Sequence, residues 1–141
     1  MRIIKFRGKC TDDGMWRHGD LLHDNGLVWI NDDGLHCTVD EKTVGQFTGL
    51  HDKNDTPIYE GDVIQSPLGN VVVVEYGYKE HNVRHGRPAV TDCFAAYGWI
   101  VRNVKNGITD FLDYEFLKGW VIGNIYDNPE FCNGKNNKFQ R

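Results

Sequence analysis

Hydrophobic and polar positions along this chain alternate in short runs, and glycine or Asx residues break nearly every run. Residues 2–7 interleave Ile3, Ile4 and Phe6 with cations and predict a first strand ending at Gly8. Trp16 opens a second extended piece that reaches Leu22 before the turn Asp24, Asn25, Gly26. Leu27–Ile30 predicts a strand and Leu35–Val39 its return. Asp33 and Gly34 between them supply the positive φ angles of a tight hairpin turn. Thr43–Thr48 reads as a strand stopped by Gly49, and residues 51–55 as an exposed turn. Pro57–Tyr59 leads through the bend Glu60, Gly61, Asp62 into Val63–Gln65.

The four consecutive valines Val71–Val74, running on to Tyr76, form the most β-prone segment and predict burial on both faces. Gly77–Thr91 is polar, carries Gly86 and Pro88, and has no period, which predicts a long loop. Phe94–Val104 resumes strand character, with Asn106 and Gly107 as a hairpin turn. Thr109–Leu117 is ambiguous. Asp110 could cap a short helix, while the alternation of Leu112, Tyr114 and Phe116 with acids tips the reading to extended chain. Trp120–Tyr126 predicts a strand in which Gly123 admits another backbone or ring. Asn128, Pro129 and Glu130 signal one helical turn with Asn128 as its cap. The expected fold is mainly β: short bent strands, an SH3-like β-barrel whose closure would hide their edges, and at most one or two short helices. Residues 1–132 are expected to form one domain, or two small lobes divided near 42/43, with 133–141 a polar flexible tail.

Composition narrows the function classes. A chain of 141 residues is long enough for a core without staples. A net charge of -4 argues against a general nucleic-acid coat or a membrane-surface binder, both of which need a positive field. No apolar run approaches the roughly 18–20 residues that span a bilayer. Cys10, Cys37, Cys93 and Cys132 are widely spaced with no C-x-x-C pair, so zinc is disfavoured. With Met1–Arg7 charged and unlike a signal peptide, the reading is four free thiols in a reducing cytoplasm.

Three blocks resemble the YopX family of small phage and prophage proteins: Ile4–Gly8, Gln46–Ile64 and Val121–Phe131, with Trp16 and Gly19 in a looser Trp-and-Gly pattern. Residues 27–40 and 79–88 have no matching family pattern. The resemblance implies a β-rich fold with an SH3-like barrel, expression in the cytoplasm of a bacterial host, and no assigned activity. It brings no catalytic residues to this chain.

The residues themselves point away from chemistry. Residues 52–63 fail as a calcium loop, because the turn-glycine position holds Pro57 and the bidentate-acid position Val63. His81 and His85 are four apart, but Glu80 lies outside them and the context is loop-like. His36 and Cys37 are neighbours on a strand and face opposite ways. Ser66, the only serine, precedes Pro67 and has no nucleophile elbow. Cys93 reads as a packed core thiol. Glu60 and Asp62 could act as paired acids, but Asp62 bonding the backbone donors of its own turn is the favoured reading. Lys79, Arg84, His85 and Arg87 form a basic stretch and are the candidate contacts for an anion or nucleic acid. Trp16, Trp29, Trp99 and Trp120 read as core or barrel aromatics, of which an exposed member could anchor an interface. The expected function is therefore that of a non-enzymatic phage or prophage accessory protein. It needs no cofactor or metal and binds a protein partner, another copy of itself included; the alternative is a nucleic-acid-binding module.

Overall fold

The computed structural model describes residues 2–132. Eleven strands form two antiparallel sheets among these residues. The first sheet contains β1 (Phe6–Lys9), β2 (Trp16–Asp24), β3 (Leu27–Asp32), β4 (Leu35–Thr38), β5 (Gly45–His51) and β6 (Pro57–Tyr59), in the order β4-β3-β2-β1-β5-β6. The second contains β7 (Asp62–Gln65), β8 (Val71–His85), β9 (Val90–Asn103), β10 (Thr109–Phe111) and β11 (Trp120–Asn124), ordered β10-β9-β8-β7-β11. One short helix, α1 (Tyr114–Leu117), and 3-10 turns at Glu41–Thr43 and Pro129–Cys132 complete the chain.

The mainly β reading holds, but the sheets do not show the closure expected of a barrel. Neither sheet closes on itself, since β4 and β6 edge the first and β10 and β11 the second. The sheets are instead held together by packing and by a few bonds that cross between them. Ile58 of β6 is fully buried in one cluster with Ile64, Val72, Val74, Val101, Leu112 and Phe116. Val63, Val71 and Val73 pack on the other face of the second sheet, against Val104, Ile122 and Ile125. Val71–Val74 are thus buried on both faces, as their unbroken run predicts. A third cluster of Val28, Ile30 and Val39 serves the first sheet.

The turn chemistry behaves as its residues dictate. Asn25 and Gly26, and Asp33 and Gly34, all adopt positive φ at the two hairpins of the first sheet. Other expectations shift. The first strand runs Phe6–Lys9 rather than ending at Gly8, because a side chain at 8 would press on Val39 and Ile30; the glycine lets β1 lie against that cluster. β5 continues through Gly49, where the register to β6 slips between Phe47 and His51, and Thr43 belongs to the preceding 3-10 turn. Residues 109–117 divide into β10 and α1, and the helix cap is Asp113, whose carboxylate accepts from Glu115 N–H at 3.1 Å, not Asp110. A turn does form at Pro129, but the Asn128 carboxamide accepts from Asn124 N–H at 3.2 Å instead of capping it. Gly123 is tight as expected: a Cβ there would lie 2.3 Å from Asn128 Oδ1 and 2.8 Å from the Phe131 ring. The expected tail, 133–141, lies outside the described residues.

The largest correction concerns 77–91. These residues are not a loop but the outer part of a long hairpin. β8 and β9 pair without a slip from Val72↔Asn103 to His85↔Val90, and the connecting turn is only residues 86–89. Polarity misleads here because both faces of the hairpin meet water, so no buried face imposes an alternation.

Candidate functional site, a projecting aromatic ribbon

The pairing pattern turns the outer part of this hairpin into a free ribbon. β7 pairs with β8 only through Val71–Val73, and β10 with β9 only through Ile100–Arg102. Beyond these contacts, two further bonds bring the neighbours to an end: Gly61 N–H donates to Val74 O at 2.8 Å and Leu112 N–H to Trp99 O at 3.1 Å. From Tyr76 to His85 and from Val90 to Gly98, each strand is paired only with the other. Both outer edges therefore present unpaired backbone donors and acceptors.

The two faces of the ribbon differ. Strand alternation puts Tyr76, Tyr78, Glu80, Asn82 and Arg84 of β8 on one face with Trp99, Tyr97, Ala95, Cys93 and Thr91 of β9. The rings of Tyr76 and Trp99 meet edge-on at 5.2 Å, and those of Tyr78 and Tyr97 are tilted at the same distance. Such cross-strand aromatic pairs stiffen a sheet that has no core beneath it. They remain wet: Tyr76, Tyr78 and Tyr97 are 58%, 49% and 74% exposed. Amphipathic rings held rigidly in solvent are the anchors that protein interfaces favour. At the root of this face lies a hollow of about 400 Å³ lined by Arg2, Gln46, Glu60, Tyr76 and Trp99.

The basic residues singled out in the sequence all lie on the ribbon but do not share one surface. Lys79 and His85 are on the face opposite the aromatic rows, Arg84 is on the aromatic face, and Arg87 is in the turn. His85 bonds Asp92 through Nε2. Among the described residues Arg84 and Arg87 have no ion-pair partner. The side chain of His81 lies outside the described part, so the His81–His85 pair is not placed. Cys93, expected in the core, is exposed on the aromatic face, because the strand that holds it has left the body. Its thiol donates to Glu80 Oε1 at 3.1 Å, and that bond, then burial, raises its pKa.

A second concavity lies within the body. A cleft of about 560 Å³ is lined by Lys5, Arg7, His18, Asp32, Tyr59, Asp62 and Asn124, among others. Its chemistry is committed to holding the fold. Arg7 Nη1 donates to Asp62 Oδ1 at 2.8 Å and Nη2 to Glu60 O at 3.3 Å. Its guanidinium carbon lies 4.7 Å and 5.0 Å from the ring centroids of Trp16 and Tyr59. The other oxygen of Asp62 accepts from Tyr59 N–H at 2.8 Å, so this acid serves its own turn, as the bland reading of Glu60 and Asp62 has it. Burial pushes the Asp62 carboxyl upward, against the pull of Arg7. Burial lowers His18, and Lys5 and Arg7 lower it further. Nearby, Asp127 bonds Lys9 and accepts from Trp16 Nε1, bonds that hold its carboxyl at about 2.

Sequence reasoning missed Asp52, placed in an exposed turn but buried. Its Oδ1 accepts from Asn54 and Thr56 N–H, the Asx turn its sequence signals, while Oδ2 accepts from Val121 N–H at 2.8 Å and caps the edge of β11. The turn at 51–55 was legible; the reach of Asp52 across 69 residues was not. No helix among the described residues is long and apolar enough to cross a membrane.

Comparison with curated proteins gives no match. A scan of protein families matches the YopX protein family over residues 5–132, a span that includes both sheets and the ribbon. That match covers most of the sequence, and the chain belongs to the YopX family.

Proposed function

We propose that this chain is a phage or prophage accessory protein of the bacterial cytoplasm that works by binding another protein, without catalysis, through the β8–β9 ribbon. One observation carries the reading: a long two-stranded ribbon leaves the body with both edges unpaired and two aromatic cross-strand pairs exposed on one face. An extended segment can add to such an edge through main-chain hydrogen bonds, while neighbouring side chains set specificity. The acids of the body cleft are bound to Arg7 and to backbone, which favours binding over turnover.

Arg84 and Arg87 near the ribbon end favour a second reading, contact with nucleic acid. Charge weighs against it. Between Tyr76 and Trp99 three cations are opposed by two acids, on a chain of net charge -4. The deciding experiment is affinity purification of the tagged chain from its host, beside a form in which 79–96 is replaced by a two-residue turn. A stoichiometric protein recovered only with the intact ribbon supports the proposal. Nucleic acid recovered in a salt-sensitive manner, and lost on Arg84→Ala with Arg87→Ala, replaces it with the second reading.

A further inference from the structure

We infer that the partner of the β8 edge is the β8 edge of a second copy, paired antiparallel about a two-fold axis at Asn82. This rests on the reading of the ribbon as a protein-binding element and names what it binds.

The argument begins with the direction of the backbone groups. Val71 O accepts from Val104 N–H, so it points toward β9, whereas Val74 O accepts from Gly61 N–H, so it points away. The β8–β9 register is unbroken, so the alternation continues along the strand. Tyr76, Tyr78, Glu80, Asn82 and Arg84 therefore direct their N–H and C=O groups to the open edge. Two copies of this edge can hydrogen-bond only in registers that set these residues opposite one another.

Charge chooses among those registers. An axis at Glu80 would oppose two glutamates, and one at Arg84 two arginines. An axis at Asn82 sets Glu80 of each copy against Arg84 of the other, twice per dimer, with the two Asn82 carboxamides facing each other. On the opposite face Lys79 falls across from His85, which brings its Asp92 along. The outward residues of the β9 edge (Thr91, Cys93, Ala95 and Tyr97) include no charge and offer no such match. The same register brings Gly86 opposite Tyr78, so the turn 86–89 of one copy reaches the hollow that Tyr76, Trp99 and Glu60 line at the root of the other. Arg87 in that turn then meets an acid and two aromatic rings, with Arg2 also in the lining.

The test is sedimentation equilibrium of the full chain with a charge-swap series. The wild type is expected to dimerise. Glu80→Arg alone and Arg84→Glu alone place like charges opposite each other twice, and each is expected to raise the dimer Kd about ten-fold or more. The double variant Glu80→Arg, Arg84→Glu restores the wild-type value. In a Cys93→Ala background, which removes the thiol across the hairpin, Asn82→Cys forms an intermolecular disulfide with its own counterpart on oxidation. A chain that stays monomeric, a dimer indifferent to the single swaps, or swaps that do not rescue one another overturns the inference. If the chain is monomeric but its ribbon still captures a different protein, the inference falls and the binding role stands; if removing the ribbon changes no association, both fall.

Discussion

Arg7 Nη1 donates to Asp62 Oδ1 at 2.8 Å, joining the first strand of one sheet to the first strand of the other. Asp62 is 2% exposed, and its second oxygen holds Tyr59 N–H. Asp62→Ala leaves a buried guanidinium uncompensated and a backbone donor unpaired, and should cost about 3–5 kcal/mol. Urea unfolding reads the loss as a lower midpoint. A double-mutant cycle with Arg7→Met should give a large coupling, because removing either partner leaves the other's buried charge uncompensated.

Gly123→Ala should lower stability by about 1–3 kcal/mol, since the new Cβ must displace both the Asn128 carboxamide and the Phe131 ring. Limited proteolysis near Pro129 should accelerate with it. The same substitution at Gly26, where nothing lies within 4 Å, strains only the turn.

His18 is held below its ordinary pKa by burial and by Lys5 and Arg7. The unfolded chain therefore takes up a proton there before the folded chain does, and stability falls as pH drops below about 6.5. His18→Gln removes that proton uptake. Its midpoint should be flatter than the wild type's between about pH 7 and 5, and an unchanged slope would exclude the assignment.

Cys93 should alkylate slowly at neutral pH despite its exposure, because its proton is held by Glu80. Glu80→Gln should speed its reaction with iodoacetamide, read by mass spectrometry of the Cys93 peptide. Cys10 is buried and should remain protected in both proteins.

What could be read from the sequence divides along a physical line. Val71–Val74, the Asn25–Gly26 and Asp33–Gly34 turns and the crowding at Gly123 follow from local rules, because burial or backbone sterics act on each residue directly. The ribbon was hidden because Lys79–Pro88 has no buried face, and only its pairing with Val90–Asn103 makes it a strand. Lys79, Arg84, His85 and Arg87 stand close together in the sequence, but alternation scatters them over two faces and a turn. The bonds of Arg7 to Asp62 and of Asp52 to Val121 link distant segments, and neither member announces the other. Closure of the sheets was not legible for a related reason: strand content does not tell whether the last edge meets the first.

Among the described residues, none of the buried ones that build the three hydrophobic clusters lies between Tyr76 and Gly98. Away from Gly77, where a Cβ would meet buried Ile100 at 3.0 Å, changes at exposed positions of this stretch escape the penalty that most core substitutions carry. A lineage, or an engineer, can rewrite the outer hairpin freely and test new surface chemistry on an unchanged body. The part of the molecule least constrained by folding is the part best placed to acquire a new partner.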